Sequence, residues 1–288
     1  MSVHETSPKP GGSTYVLGHA DVEVQRLLLQ GHLYNDLTEH ALRRAGLRPG
    51  MRVLDVGCGP GDVSFVAARL VGPTGTVLGV DSAAEIIEVA RTRAAQQGLS
   101  VVSFQQATIA DIVLDEPVDA VIGRLILMHL PDPVAALRQF AALVRPGGLI
   151  AFGEFDMTAA GSVPDLPVSR ALVDGIAEAF RGAGLDPGFG MTLHTLFQRA
   201  GLGAPRLTLG APVGGADDAE ILAYPVEVWR LLFPVAEQLG LVTDELADFD
   251  ALLPRLQHEL AGSGGIVMMP ALISAWIHTV SIGSEAHR

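Results

Sequence analysis

The sequence has very few of the residues that several classes of protein require. Cys58 is the only cysteine among 288 residues, so an internal disulfide and a cysteine-rich metal site are excluded. Lys9 is the only lysine and the formal net charge is −13, so there is no basic stripe to neutralise a phosphate backbone. We therefore expect a reducing, cytoplasmic setting, no metal and no nucleic-acid partner.

Long apolar runs are also scarce. The longest, residues 265–280, is interrupted by Pro270, Ser274 and His278 and is short for a membrane span, so it predicts a buried strand. Residues 1–14 are polar and lack the apolar core of a secretion signal, which indicates a disordered tail. We expect no membrane partner. An apolar content of 49% against 18% charged residues favours a compact fold and is compatible with a homo-oligomer interface.

The strongest positive signal is an apolar strand, residues 53–56, that runs into a glycine-rich turn. Gly57, Gly59 and Gly61 let the backbone turn tightly and approach a ligand without interference from Cβ atoms. A dinucleotide fingerprint would place glycine at position 62, which is Asp62, and the Gly-Lys-Ser/Thr of a P-loop is absent. The spacing therefore disfavours dinucleotides and nucleoside triphosphates.

A second short apolar strand ends at Asp81, 20 positions after Gly61. A carboxylate at the end of the second strand can accept both hydroxyls of a ribose. Together with the glycine turn, Asp81 indicates a site for another kind of nucleoside.

At these residues the chain resembles the class I S-adenosylmethionine-dependent methyltransferases. Residues 54–61, Leu-Asp-Val-Gly-Cys-Gly-Pro-Gly, are similar to the first motif of that family, and Asp81 matches its second-strand acid. Further matches follow in family order at 104–108, 118–124, 127–133 and 143–149. The resemblance covers about residues 50–156 and implies S-adenosyl-L-methionine as cofactor. The residues that it implies for cofactor binding are Asp55, Gly57, Gly59, Gly61, Asp81, Ser82, Thr108, Ile109 and Arg124.

Two of these positions leave alternatives open. The family usually carries an acid near position 108 to bind the adenine amino group; here Thr108 and the amide of Ile109 are available, with Asp111 as the alternative acid. Arg124 either lines the methionine end of the cofactor or pairs with an acid of the fifth strand, Glu154 or Asp156.

The alternation of apolar runs with helical segments predicts an α/β fold, a doubly wound, mostly parallel seven-stranded sheet. We expect an N-terminal helical cap at 15–48 with helices at 21–29 and 33–45, a cofactor-binding core at 49–156, and the rest of the sheet at 157–288. The resemblance implies an antiparallel last strand beside the fifth. Helices at 220–239 and 243–261 would then be an insertion between strands six and seven, within an acceptor lid at about 160–185 and 217–262.

Methyl transfer from a sulfonium is an in-line displacement, so the protein must mainly position the two reactants and exclude water. A base is optional. His129 is the first candidate base for a hydroxyl acceptor, and a structural role is the alternative. His194 is a weaker candidate.

Glu154 and Asp156 alternate along the end of the fifth strand and are expected to face the cleft, with Glu154 as a catalytic candidate. A salt bridge or helix cap is the structural alternative. Tyr34 is the third catalytic candidate and Tyr15 a related one, because aromatic residues of the cap can contact a sulfonium or simply pack.

The acceptor pocket is expected to have an apolar, adaptable wall. The residues proposed for it, which could equally be plain helix core, are Tyr224, Trp229, Phe233, Met268 and Met269. We expect methyl transfer to O, N or C of a small, fairly apolar, aromatic or heteroaromatic molecule, as in bacterial specialised-metabolite and quinone-type methyltransferases. Two alternatives remain: a non-methylating step such as cyclisation on the same fold, and a catalytically silent binding subunit.

Overall fold

The computed structural model describes residues 21–279, so the tail at 1–14 and Tyr15 lie outside the described residues. The helices are α1 Asp21–Ala45, α2 Asp62–Val71, α3 Ala84–Gln96, α4 Pro133–Leu143, α5 Pro167–Gly182, α6 Leu193–Arg199, α7 Ala219–Gln238, α8 Asp244–Ala247 and α9 Phe249–Ser263. The strands are β1 Arg52–Val56, β2 Thr76–Asp81, β3 Val102–Gln106, β4 Val118–Arg124, β5 Val144–Asp156, β6 Gly161–Val163, β7 Arg206–Gly210, β8 Val213–Gly214, β9 Ile266–Met268 and β10 Ala271–His278.

Seven strands form one sheet in the order β3-β2-β1-β4-β5-β10-β7. The first five are parallel, and β10 is antiparallel to both of its neighbours. Val53, Leu54 and Val56 of β1 are all buried, as expected of a central strand covered by helices on both faces. The predicted doubly wound, mostly parallel seven-stranded sheet is therefore confirmed, including the antiparallel strand beside the fifth.

The last apolar segment divides between two sheets. Residues 266–268 pair with β6 and β8 in a small three-stranded sheet, and residues 271–278 enter the main sheet. Pro270 stands at the break, where the absence of a backbone N–H prevents it from continuing a ladder. The expectation of one uninterrupted strand from Ile266 was wrong for this reason.

The N-terminal part of the described chain is one helix of 25 residues, not two. A Cβ atom at Gly31 would stand 2.5 Å from Oδ1 of Asp62 at the start of α2. Gly31 therefore serves close packing of α1 on α2 and does not end a helix. The prediction of separate helices at 21–29 and 33–45 was wrong because this packing contact cannot be read from local sequence.

Helices α5, α7 and α9 and the small sheet, together called the lid, share a cavity with the carboxyl ends of β1, β2 and β4. Helices α5, α7 and α9 share one hydrophobic cluster with the small sheet. Trp229 is fully buried in it and donates a hydrogen bond from Nε1 to the carbonyl of Leu246 at 2.9 Å. Between residues 21 and 279, every helix falls short of the length or apolarity needed to cross a membrane.

Candidate active site

One large cavity, the central cavity, lies between the sheet and the lid. Its volume is about 210 Å³, against about 20 Å³ for a second cavity between α1 and the sheet. One end is formed by residues 57–60, by Asp81 and Ser82, and by the loop after β4; the other end is formed by α1 and the lid. The central cavity therefore joins the glycine turn to the region predicted for the acceptor.

The glycine turn leaves room for a ligand. Gly59 has φ +52°, a left-handed conformation that favours glycine, and a Cβ atom there would meet no atom of residues 21–279 within 4 Å. Asp81 lies beside this open space, where its Oδ2 accepts the N–H of Gly59 at 3.0 Å and its Oδ1 accepts the N–H of Ala83 at 3.1 Å. Each carboxylate oxygen retains a lone pair for a further donor. This cradle fits a nucleoside with ribose hydroxyls at Asp81.

Asp55 lies beneath the turn and does not line the central cavity. Its Oδ2 accepts a hydrogen bond from the Ser64 hydroxyl at 2.6 Å, and its Oδ1 is enclosed without a partner in the described part of the chain. Burial raises the pKa of this carboxyl to about 7, with the Ser64 bond opposing the shift. Asp55 was predicted to contact the cofactor directly. The structure places its carboxylate below the glycine turn, bonded to Ser64, where it supports the turn.

The residues expected at the adenine end lie outside the central cavity. Thr108 is exposed and donates from Oγ1 to Oδ2 of Asp111 at 2.6 Å, so these two predicted alternatives hydrogen-bond to each other. The carbonyl of Ile109 accepts a hydrogen bond from Gln139. The structure therefore places Thr108 and Ile109 outside the cavity, in the segment that follows β3, while Ser82 lies on the cavity wall.

Arg124 ends β4 and lines the central cavity while being only 9% exposed. Its Nη1 donates to Oδ1 of Asn35 at 3.1 Å and to Oγ1 of Thr38 at 2.9 Å, both on α1. Burial lowers the pKa of the guanidinium, and the charges of Asp62 and Asp55 oppose that shift. The alternative that Arg124 pairs with an acid of the fifth strand was wrong, because its hydrogen bonds go to α1.

His129 lies on the wall of the central cavity, in the loop after β4. Burial lowers the pKa of its imidazole to about 4, and the positive charge of Arg26 adds to the shift. The ring is therefore neutral at pH 7 and can accept a hydrogen bond, but it is a weak base. His194 does not line the cavity.

Glu154 and Asp156 are both buried and neither lines the central cavity. Oε1 of Glu154 accepts the N–H groups of Ile126 at 3.1 Å and Leu127 at 2.8 Å, and burial raises the pKa of this carboxyl to about 8. Asp156 accepts from the backbone and hydroxyl of Thr158. The expectation that these carboxylates face the cleft is corrected: Glu154 fixes the loop that carries His129.

Tyr34 is fully buried and also absent from the cavity wall. Its hydroxyl donates to the carbonyl of Pro270 at 2.9 Å, and its ring packs against Phe155 with centroids 4.7 Å apart. Burial raises the pKa of the phenol well above its usual value. Tyr34 therefore connects α1 to the residue that precedes β10 through this hydrogen bond.

The lid end of the central cavity is mostly apolar. Tyr224, Met268 and Met269 line it as predicted, whereas Trp229 and Phe233 lie outside it in the helix core. The other apolar residues on this wall include Phe155, Met157, Leu172, Ile176, Val228 and Leu256. Such a surface suits a small apolar molecule.

A polar cluster on α1 was missed by the sequence reading. Arg26 is paired with Glu23 through two hydrogen bonds of 2.9 and 2.8 Å, and its Nη1 donates to Oε1 of Gln30 at 2.8 Å. The Tyr224 hydroxyl donates to the same oxygen at 3.0 Å. The spacing Glu-x-x-Arg-x-x-x-Gln places Glu23, Arg26 and Gln30 on one face of α1, and this spacing could have predicted the cluster from the sequence.

In the described residues no group of three potential ligands among His, Cys, Asp and Glu could hold a metal ion.

Comparison with known proteins agrees with this geometry. Residues 47–178 match a family model described as a methyltransferase domain. An aklanonic acid methyltransferase of Streptomyces is 36% identical over 46% of this chain and 63% of its own length. A ubiquinone biosynthesis O-methyltransferase of Actinobacillus pleuropneumoniae is 36% identical over 44% of this chain and 56% of its own length. The matches thus span about half the length of these relatives.

Two solved structures share the fold over most of the chain. A SAM-dependent methyltransferase from Aquifex aeolicus aligns with TM-score 0.50 and 19% identity, covering 67% of this chain and 92% of that one. A (4+2)-cyclase aligns with TM-score 0.51 and 19% identity, covering 86% and 82%. The family model over residues 47–178 agrees with the predicted family, and the solved methyltransferase shares the fold. The chain carries, over residues 47–178, a methyltransferase domain with the class I S-adenosylmethionine-dependent fold.

Proposed function

We propose that this protein transfers a methyl group from S-adenosylmethionine to O, N or C of a small, fairly apolar molecule. The observation that carries the proposal is the single cavity that joins the glycine turn and Asp81 to the apolar lid. The relatives named as a ubiquinone biosynthesis O-methyltransferase and an aklanonic acid methyltransferase support a small-molecule acceptor, for which we propose an aromatic compound. The scarcity of lysine argues against nucleic acid, and the single buried cysteine fits a cytoplasmic setting.

Each predicted cofactor residue has a distinct task in this proposal. The turn at Gly57, Gly59 and Gly61 presents backbone to the ligand, Asp81 and Ser82 hold the ribose, and Asp55 supports the turn. Arg124 faces the methionine end with a positive charge. Thr108 and Ile109 flank the adenine where it extends out of the cavity, in the segment that follows β3.

The bound cofactor supplies an electrophilic methyl group on a sulfonium. The lid holds the acceptor against this end of the cavity and excludes water, which favours a collinear approach. His129 is neutral at pH 7 and accepts a hydrogen bond from a hydroxyl acceptor, takes the proton of that hydroxyl as the O–CH3 bond forms, and then releases it to solvent. Glu154 holds the loop between β4 and His129, and Tyr34 ties the cap to β10.

Calorimetric titration tests the cofactor assignment. We expect micromolar binding of S-adenosylmethionine and S-adenosylhomocysteine, and no binding of NAD. Methyl incorporation into a panel of hydroxylated aromatics then tests transfer. Release of S-adenosylhomocysteine with each turnover excludes a cyclisation that leaves the cofactor intact, and a failure to bind either nucleoside favours a silent binding subunit.

A further inference from the structure

Gln30 is a polar residue in the predominantly apolar acceptor end of the central cavity. It lies on α1, is 7% exposed and lines the cavity. No role was predicted for Gln30 from the sequence. Its amide is held by two partners, which makes its orientation chemically unambiguous.

The Oε1 atom of Gln30 accepts both of those hydrogen bonds. Nη1 of Arg26 donates at 2.8 Å, and because a guanidinium has no acceptor, the atom that it meets must be the amide oxygen. The Tyr224 hydroxyl donates at 3.0 Å, and burial raises the pKa of that phenol, so its proton is retained. The amide nitrogen therefore occupies the other position.

The Nε2 atom of Gln30 has no acceptor among residues 21–279. It is not one of the three enclosed polar atoms without a partner, which belong to Asp55, Glu154 and Asp156. Gln30 lines the central cavity and its Nε2 is neither enclosed nor paired among the described residues, so this donor is available to a ligand in the cavity. A largely buried donor is costly to leave unpaired, so a ligand that supplies an oxygen there is favoured over one that does not.

The surroundings of this donor define the matching ligand. The wall of the central cavity is mostly apolar, with Leu27, Val228 and Met269 among its residues, so an oxygen carried by an otherwise apolar molecule matches it. The Arg26 charge at Oε1 polarises the amide and strengthens donation from Nε2. An ammonium or amide N–H of a ligand would meet a donor and be rejected.

We infer that Gln30 is a specificity-determining residue that selects acceptors with a carbonyl oxygen on an apolar skeleton. The inference deepens the proposed function and rests on it for treating the lid end of the cavity as the acceptor site. It assigns recognition to a group remote from the atom that is methylated. A ketone is thereby distinguished from a hydrocarbon of the same shape.

Matched ligand pairs test the inference by equilibrium binding. The probes are 4-hydroxyacetophenone with 4-ethylphenol, and 6-hydroxy-1-tetralone with 5,6,7,8-tetrahydro-2-naphthol, together with the tricyclic pair 1-hydroxyanthraquinone and 1-hydroxyanthracene. In calorimetry with S-adenosylhomocysteine present, the wild type should bind the carbonyl member of a pair about tenfold more tightly.

The informative variant is Gln30→Glu, and Gln25→Glu is its control. A carboxylate at position 30 still accepts from Arg26 and Tyr224 but has no N–H to donate. Gln25 lies on the same helix, is exposed and does not line the cavity, so its substitution adds the same charge elsewhere. The carbonyl preference should disappear in Gln30→Glu and persist in Gln25→Glu, while both variants keep the wild-type affinity for S-adenosylhomocysteine.

Equal affinity within every pair, an unchanged preference in Gln30→Glu, or no binding of any carbonyl-bearing probe would overturn the inference. These outcomes are separable from failure of the proposed function. If the protein binds no S-adenosylhomocysteine, the same titrations without it still report whether Gln30 selects carbonyl ligands. If it binds S-adenosylhomocysteine and ignores the carbonyl, the methyltransferase proposal stands and the role of Gln30 is refuted.

Discussion

The carboxylate of Asp81 accepts a hydrogen bond from the backbone N–H of Gly59 at 3.0 Å. This bond connects the two sequence features, the glycine turn and the second-strand acid, that predicted a nucleoside site. It also gives Asp81 two tasks, because the carboxylate orders the turn while it offers oxygens to the cavity. Substitution at either residue should therefore affect cofactor binding.

Asp81→Ala should weaken binding of S-adenosylhomocysteine by roughly 2–4 kcal/mol, because ribose hydroxyls and the Gly59 N–H lose a charged acceptor. Calorimetry measures the change, and the thermal transition reports folding. Glu85→Ala, at an exposed acid in the first turn of α3, is the control and should bind normally. An Asp81→Ala protein with wild-type affinity would contradict the placement of the ribose.

Gly59→Ala separates backbone strain from loss of ligand space. Gly59 has φ +52° and Gly98 has φ +64°, and a Cβ atom added at either position would meet no atom within 4 Å in the part of the chain that the structure describes. Both alanine variants should lose a similar free energy of unfolding, about 1 kcal/mol, but only Gly59→Ala should lose affinity for S-adenosylhomocysteine. Equal affinities in the two variants would place the ligand away from the turn.

His129→Ala should lower turnover by about 100-fold, because a hydroxyl acceptor loses its proton acceptor, and should leave cofactor affinity unchanged. His194→Ala, at a histidine outside the cavity, is the control. Because the pKa of His129 is lowered to about 4, its neutral form persists through mildly acidic pH. The contribution of His129 to kcat/KM should therefore be constant from pH 8 to about 5 and fall only near pH 4. A limb near pH 6.5 that vanishes in His129→Ala would show an unshifted imidazole.

Glu154→Gln should alter the pH dependence of stability. The pKa of Glu154 is raised from 4.5 to about 8 in the folded protein, so folding opposes its ionisation. Its contribution is fully present below pH 4.5 and is lost as the pH rises towards 8. Relative to Glu154→Gln, whose amide oxygen can still accept from the loop, the wild type should lose roughly 2–4 kcal/mol of unfolding free energy over that range. Urea unfolding at pH 5 and pH 8 measures it, and parallel curves for the two proteins would refute a neutral Glu154.

Tyr34→Phe should leave turnover within about twofold and lower Tm by about 2 °C, because it removes one hydrogen bond from a site outside the cavity. Tyr224→Phe is the informative comparison, since that hydroxyl bonds to Gln30 on the cavity wall. A 100-fold loss of turnover in Tyr34→Phe, without loss of fold, would restore Tyr34 as a catalytic residue.

Local sequence predicted the main sheet well because its signals are local. The apolar run at 53–56 and the short strand that ends at Asp81 correspond to β1 and β2. The small sheet escaped notice because strands of three residues or fewer have no readable period. The continuity of α1 depended on Gly31 approaching Asp62, a contact between two elements.

Site residues that follow from the local order of the chain could be predicted from the sequence, whereas contacts between distant segments could not. Gly57, Gly59 and Asp81 follow from the order of strand, turn and acid. The Gln30–Tyr224 hydrogen bond joins residues 194 positions apart, so no window of sequence contains it. Glu154 was placed at the correct end of β5, but alternation along a strand could not show that the loop after β4 covers its carboxylate.

The break at Pro270 has a consequence for how new acceptor specificity could arise. At this point the chain leaves the small sheet of the lid and enters the main sheet, and the Pro270 carbonyl is bound by Tyr34 of α1. Lid, core and cap therefore meet at one peptide unit. Recombination between relatives that exchanges whole lids must preserve this junction, whereas point substitutions along the cavity wall can retune the pocket without disturbing it.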